Sequence, residues 1–598
     1  MPATSKARLS SNIDSNKSET PQHQPYADMV MERDLPVPME DGVILRADVY
    51  RPKTTEKAPV ILTMGPYGKG VKYQEGFAAS WNWLISRYPD ILGGSTGSYL
   101  TLGTVDPELW VPAGYAVLRV DSRGSGRSPG ILDILSRRQA TDLYNCIEWA
   151  GVQPWSSGKV GLCGVSYYAI NQWLVATLHP PHLTCMIPWE GAADFYRDIT
   201  HHGGIYSNVF LDVYSALVSS IQHGLGTKGP TDHWMKQPAS GPETLDQASL
   251  IGNRSGFVCN IKKHQLDDEF HKSRTPDFSK ITVPFLSAAN WGAFGLHQRG
   301  NFEGFTQSKS RQKWLEVHGG RHPESFYLKD SVKIQMRFFD YFLKGEKNGW
   351  DKEPPVILTI RYVDHFETRK EAEWPLQRTR WTKVYLDAKN CSLKWVVPPH
   401  PGKVRFEALG DGVTFASPPL ERQTEITGPM AARLFVSSST TDADLFLTFR
   451  AFDTSGKEVD FQGANDPHTP LAQGWLRASH RRLSPRRSNP YRPYHTHERK
   501  EPLKPGAVYI LDIEVWATCV VLPARYTIAL TVQGKDFQRP TWQEEWGGVP
   551  LRGSGPFLHN DPDDRPVSVY SGKTQIFTGK GRSSFLLLPI ISDTARAP

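Results

Sequence analysis

Six short, nearly unbroken apolar runs recur between residues 60 and 317: Val60–Met64, Gly114–Val120, Lys159–Val165, Leu183–Trp189, Ile281–Ala288 and Trp314–Val317. Runs of this length are strands. Being apolar at consecutive rather than alternate positions, they belong to a sheet covered on both faces. Helical patterns stand between or after them, at Asp142–Ala150, Asn171–Leu178 and Val332–Leu343. Strand and helix alternating in this way predict a mostly parallel, doubly wound α/β sheet. Upstream, LPVPMEDGVILRADVYRP (Leu35 to Pro52) alternates apolar and polar residues about Asp41-Gly42 and predicts an antiparallel hairpin.

The rhythm breaks over residues 196–280, which are mixed, polar and helical in FLDVYSALVSSIQ; an insertion between two strands of a regular sheet is expected to cap its active edge. From Pro354 the pattern becomes short alternating runs separated by Gly, Pro, Asp and Asn, which predicts a jelly-roll-like β-sandwich of roughly 220 to 240 residues. The expected organisation is a disordered tail over 1–30, an α/β domain over 31–350 with the cap inside it, and a C-terminal sandwich over 351–598.

Lys159–Val165 runs into a helix, and Ser166 stands at the junction. A nucleophile elbow, G-x-S-x-G, needs such a corner, where small residues let the backbone double back and the hydroxyl stands clear of the sheet. Gly164 supplies the first small position, but Tyr168 occupies the second and Ala169 follows it, so the match is partial. The amide of Tyr167, at the positive end of the new helix, can face a developing oxyanion. A serine hydroxyl needs an imidazole to take its proton and a carboxylate to hold that imidazole, and in hydrolase order both follow the serine. Of the 19 histidines, His322 has the right setting, in HGGRHPESFY just beyond the last clear strand; His318, at the strand end, is the alternative. His201 and His202 fall in the cap and are expected to line a pocket or face water. The glycine-rich DSRGSGRSPG lacks the order of a phosphate cradle, and Asp121 with Arg123 reads there as a structural ion pair.

Composition excludes other classes. The net charge of +7 is small for 598 residues, and the densest basic cluster, His480 to Arg487, reads as a solvated loop with no nucleic-acid reader around it. Six scattered cysteines argue for free thiols in a reducing, cytoplasmic setting and against a zinc site. Met1 to Tyr26 is polar and no secretory signal, and no apolar run reaches about eighteen residues, so a membrane partner is not expected. No cofactor is expected, and a homodimer is left open.

Several stretches together resemble the cocaine esterase and X-prolyl dipeptidyl peptidase group of serine hydrolases: MEDGVILRADVYRP, GPYGKG, GYAVLRVDSRGSGRSPG, PWSSGKVGLCGVSYYAINQW, RFFDYFLKGEKNG, GWLRASHR and EPLKPG, spanning about residues 35 to 535. The resemblance implies an α/β-hydrolase fold with Ser166 as nucleophile, His322 as general base, and the Tyr67 hydroxyl joining the Tyr167 amide in the oxyanion hole. It also implies an aspartate in the loop after VPFLSA. Here that loop reads AANWGAFGLH, so Trp291 matches while Ala293 occupies the aspartate position. Either His322 works without a carboxylate, or one reaches it from elsewhere. Glu190, at the end of the strand beside the nucleophile strand, is the best placed; Asp194 reads as a partner of Arg197, and Glu324 as solvent-facing.

The function expected is cleavage of an ester or amide of a small organic molecule through an acyl-enzyme on Ser166. Tyr168, Trp291 and His297 are candidate pocket residues, each also open to a packing role. No acidic cluster for a substrate amine is evident, which disfavours X-Pro peptidase activity. The altered acid position leaves a biosynthetic acyl transfer, cyclisation or rearrangement as the alternative, and a catalytically silent scaffold as the third.

Overall fold

The structure, a computed structural model, describes residues 29–541 and 544–592. The tail expected over 1–30 lies outside the described residues, except that Met29 and Val30 open the first strand. A ten-stranded sheet is built from β1 (Met29–Pro38), β2 (Ile44–Pro52), β3 (Ala58–Gly65), β4 (Ala116–Asp121), β5 (Ser156–Val165), β6 (Leu183–Trp189), β7 (Phe285–Asn290), β8 (Lys313–His318), β9 (Val356–Arg361) and β10 (Phe366–Glu371). Its order is β1-β2-β4-β3-β5-β6-β7-β8-β9-β10. Strands β3 to β9 run parallel, and an antiparallel strand pair closes each edge.

Because side chains alternate across a strand, each apolar run feeds two cores. Val60, Leu62 and Leu118 pack with Leu143, Cys146, Ile147 and Ala150 of helix Arg137–Gly151 and with Trp173. Ile61, Val117 and Cys163 face the other way, toward Trp110, Phe338 and Phe339. The buried set Leu143, Cys146, Ile147 and Ala150 has the i, i+3, i+4, i+7 spacing of one helix face. Its N-terminus is capped by Ser136 Oγ, which accepts from the Gln139 amide at 3.3 Å.

The insertion forms a single π-helical turn, Phe195–Thr200, and helices that include Asn208–Ser219, Gln247–Gly252 and Phe257–Lys263. Phe210, Leu211 and Val218 pack in one apolar cluster with Tyr67, Tyr167 and Ile170, which lays the insertion over the nucleophile corner. In the C-terminal domain a ring of strands closes: Thr424–Ser438, Tyr509–Leu522, Ala472–Arg477, Asp444–Phe452, Thr527–Gln533, Val413–Ala416, Ser392–Lys394, Thr379–Asp387 and Phe585–Ile591, the last pairing back to the first.

Two strands just beyond residue 350, expected in the sandwich, join the parallel sheet. VILTIR and the strand after it are β9 and β10, hydrogen-bonded to the parallel sheet instead of the sandwich. Leu358 and Ile360 pack there with Ala517, Cys519 and Val521 of the sandwich, and buried Arg361 donates to the Cys519 carbonyl at 2.8 Å. An alternating apolar run looks the same in either sheet; the tertiary partner decides it. Arg123 pairs with Asp142 and Asp41 at 2.7 and 3.0 Å, not with Asp121, whose carboxylate accepts from the amides of Lys69 and Arg127. Asp194 does pair with Arg197, at 2.9 Å. Of the basic cluster, Arg482, Arg486 and Arg487 are exposed, while His480 is buried. Among the described residues no helix is long and apolar enough to cross a membrane.

Candidate active site

Every candidate side chain stands at or just beyond the carboxyl end of a parallel strand, the edge where α/β sheets place their ligands. Ser166 follows β5 with φ 62° and ψ −117°, a conformation rare for a residue with a side chain and held here by its surroundings. The Ser166 amide donates to the Trp189 carbonyl at 3.1 Å, and its own carbonyl accepts from Ala169 and Ile170 at 2.9 Å. The helix therefore starts at Tyr167, four residues before the periodicity suggested. Tyr168, in the place of the second glycine, is accommodated from outside the motif. A Cβ on Gly65 would stand 2.5 Å from its ring, one on Gly164 2.6 Å from its Cβ, and one on Gly103 3.2 Å from its ring.

The Ser166 Oγ lies 3.3 Å from Nε2 of His297. The His297 ring stacks on that of His322, with centroids 4.7 Å apart and planes inclined by 22°. His322 Nδ1 is 2.8 Å from Oε2 of Glu190. The other carboxylate oxygen, Oε1, is 3.0 Å from His318 Nε2, and His318 Nδ1 is 2.7 Å from Glu316 Oε2. A chain of Glu316, His318, Glu190 and His322 thus runs along the strand ends. Glu190 is fully buried and has φ 48°, so β6 turns sharply to aim it at the two rings. Its backbone amide donates to the Ala288 carbonyl at 2.7 Å.

Burial alone would raise the Glu190 carboxyl, yet the two imidazoles outweigh it and hold the group well below the usual carboxylate range. Burial would lower His318, but Glu316 and Glu190 on its two nitrogens bring it to about 10, so this ring is an imidazolium at neutral pH. Burial and the neighbouring His322 keep His297 well below the ordinary imidazole value, against the pull of Glu190. The Tyr67 hydroxyl, 3.1 Å from that of Tyr214, is pushed up to about 12 by burial and stays protonated.

These groups open on a cavity of about 400 Å³ lined by Tyr67, Ser166, Tyr168, His297 and His322, by Phe210, Tyr214 and Leu217 of the insertion, and by Ala464, Asn465, Glu544, Glu545, Trp546 and Leu551 of the C-terminal domain. Arg321 pairs with Glu544 at the wall, its guanidinium 4.7 Å from the Trp83 ring centre. Trp291 is not a pocket residue. It is fully buried among Phe302 and Trp374, with Nε1 donating to the Thr359 carbonyl at 2.8 Å, because its loop turns the ring into the seam between the domains. Ala293 is buried as well, and Glu324, expected at the surface, is buried and accepts from the Arg321 amide at 3.0 Å. His201 and His202 pack in the interior, His202 against His559 at 2.8 Å. Sequence reasoning missed Tyr214, Trp546 and the contact of His297 with the serine. EEW in TWQEEWGG was the one visible hint of acidic and aromatic groups on a common loop.

Serine on a strained strand-to-helix corner, imidazoles at the same sheet edge and a carboxylate against one of them define a serine hydrolase of the α/β-hydrolase class. The comparisons agree. A family model described as X-Pro dipeptidyl-peptidase (S15 family) matches residues 41–324, and one described as the X-Pro dipeptidyl-peptidase C-terminal non-catalytic domain matches 348–586. A solved CocE/NonD family hydrolase from Staphylococcus aureus is 32% identical, with 94% of each chain covered and a TM-score of 0.82. The cocaine esterase of Rhodococcus sp. (strain MB1 Bresler) is 23% identical, over 93% of this chain and 97% of its own. An α-amino acid ester hydrolase structure shares the fold at 16% identity, covering 97% of this chain and 100% of its own, with a TM-score of 0.62. The chain belongs to the CocE/NonD family of hydrolases.

Proposed function

We propose that this hydrolase cleaves the ester or amide of a small, largely apolar molecule through an acyl-enzyme on Ser166. His322 takes the Ser166 proton as Oγ attacks the carbonyl carbon, then returns it to the leaving alcohol or amine. Glu190 fixes the His322 ring with the Nδ1 proton toward itself, which leaves Nε2 as the base. The Tyr67 hydroxyl and the Tyr167 amide, one of those a helix leaves without an internal partner, receive the oxyanion. Water repeats the sequence on the acyl-enzyme. The observation that carries this reading is the 2.8 Å contact of His322, which lines the same cavity as Ser166, with a fully buried carboxylate behind it.

The lining favours the substrate class, since Tyr67, Phe77, Trp83, Leu102, Phe210 and Trp546 supply mostly ring and aliphatic surface. The wall also carries Glu544 and Glu545; Arg321 pairs with the first, so of these two Glu545 is the carboxylate that a substrate amine could meet. A reducing, cytoplasmic setting fits the six unbridged cysteines.

Labelling with a fluorophosphonate, followed by product analysis on a panel of aryl and alkyl esters, tests the reading. Wild type takes the label and S166A does not; free acid plus alcohol is the product. An isomerised or cyclised product would favour internal acyl transfer, and an unlabelled wild type would favour a silent scaffold.

A further inference from the structure

The resting Ser166 hydroxyl already has an imidazole partner, and it is not the one bonded to the carboxylate. His297 Nε2 is 3.3 Å from Oγ, whereas Glu190 bonds His322. His297 is 2% exposed, and its Nδ1 is buried with no hydrogen-bond partner among the described residues. A neutral imidazole has one N–H to place. On Nδ1 it would be an orphaned buried donor, the scarcer kind of unsatisfied group in folded proteins; on Nε2 it has Oγ as acceptor. The stacked ring lies over the face of His322 at 4.7 Å, within the range at which a cation and an aromatic face attract. No hydrogen bond links the two imidazoles, so a proton has no path through the stack.

We propose that His297 is a positioning residue that donates Nε2–H to Ser166 Oγ and backs, face to face, the imidazolium that forms on His322. The inference rests on the acyl-enzyme reading above. In the attack step the Ser166 O–H proton passes to His322, Oγ bonds the carbonyl carbon, and the carbonyl π pair moves onto oxygen. His297 neither gains nor loses a proton. Its donation occupies one lone pair of Oγ and leaves the O–H free to turn toward His322. Its neutrality, kept by burial, lets the stack favour charge on the other ring.

The test is the second-order rate of fluorophosphonate reaction with Ser166, measured from pH 5 to 9 in H297A, H297F and H322A, with a thermal melt of each. The expected result for H297A is a loss of about 10- to 100-fold and an acid limb displaced downward by about half to one pH unit. H297F keeps a ring without the N–H and is expected to recover the limb position but not the rate. H322A is expected to lose labelling. Wild-type rates and profiles in both His297 variants, with H322A inactive, would overturn the positioning role and leave the acyl-enzyme reading standing. Labelling kept in H322A and lost in H297A would make His297 the base, overturning both the positioning role and the assignment of His322 as base while leaving Ser166 as the nucleophile. If H297A fails to fold, H297F decides on the same two readouts.

Discussion

Replacing Glu190 by glutamine tests the relocated acid most directly, because the side chain serves two rings at once. Its Oε2 faces His322 Nδ1 at 2.8 Å and its Oε1 faces His318 Nε2 at 3.0 Å. A glutamine offers one acceptor oxygen and one NH₂, so one ring must meet a donor. His318 is the ring that keeps its proton, since Glu316 at 2.7 Å still holds its other nitrogen. The amide oxygen therefore goes to His318 and the NH₂ to His322, whose Nδ1 must then accept. That tautomer carries its proton on Nε2, facing the serine it should deprotonate. The same error in a serine-protease triad costs about 10⁴-fold in kcat, equivalent to about 5.5 kcal/mol of transition-state stabilisation. E190Q should accordingly lose about 10³- to 10⁴-fold in ester turnover and label slowly with a fluorophosphonate. The variant also loosens His318. That ring's pKa lies above its unfolded value, so its contribution to stability is complete below about pH 6.5 and is lost as pH rises through about 10. E190Q should shift this alkaline loss to lower pH. Turnover within tenfold of wild type, with an unchanged melting temperature, would refute Glu190 as the group that sets the His322 tautomer.

Y67F removes the proposed oxyanion donor, and about 100- to 1000-fold is expected to disappear from kcat; because the hydroxyl is held near 12, the wild-type rate should show no loss from its ionisation up to about pH 10, which a pH–rate profile checks. Y168G restores the usual small residue of the elbow, yet it empties a space that Gly65, Gly103 and Gly164 leave for the ring; a loss of about 3–5 kcal/mol in a denaturant or thermal melt is expected, and a neutral result would contradict the packing described. Burial holds His202 and His495 near 3 and His271 near 4, and pushes His201, His480 and His497 down too. Since these values lie below the unfolded one, their neutral packing is fully available above about pH 6.5. Stability should then fall by up to about 1.4 kcal/mol per histidine for each pH unit below it, so a melting temperature flat between pH 7 and 5 would refute their burial.

The parallel sheet was legible because burial on both faces leaves a continuous apolar run, which survives any choice of partner. Leu183–Trp189 coincides with β6, and the hairpin about Gly42, with φ 82°, forms where the turn residues require it. β9 and β10 were not legible as members of that sheet, since a half-buried strand shows the same alternation whichever sheet it joins. The corner at Ser166 and the loop that carries His322 showed as local patterns. Trp291 could not: the same motif position serves a pocket or a seam according to where Phe302, Trp374 and the Thr359 carbonyl fall, and none of these is near it in sequence. His297 was legible as a candidate pocket residue but not as the partner of Ser166, which is 131 residues away.

With Glu190 as the proposed acid, the sheet order shows how the carboxylate can stand on a different strand and still reach the histidine loop. The implied aspartate position, Ala293, follows β7, whereas Glu190 follows β6, which lies between β5 and β7. Ser166, Glu190 and His322 thus come from the ends of β5, β6 and β8. A carboxylate at the end of either middle strand stands between the nucleophile and the histidine loop. Moving it to β6 puts it beside the nucleophile strand, and the left-handed turn at φ 48° swings it back toward the histidines. The loop after β7, freed of the acid, can then bring His297 to the serine. A paired change follows from this geometry: an aspartate introduced at Ala293 would be a second carboxylate in a buried site that already holds one. Unless Glu190 is removed with it, A293D should destabilise the fold, because two buried like charges cannot both be paired by His322.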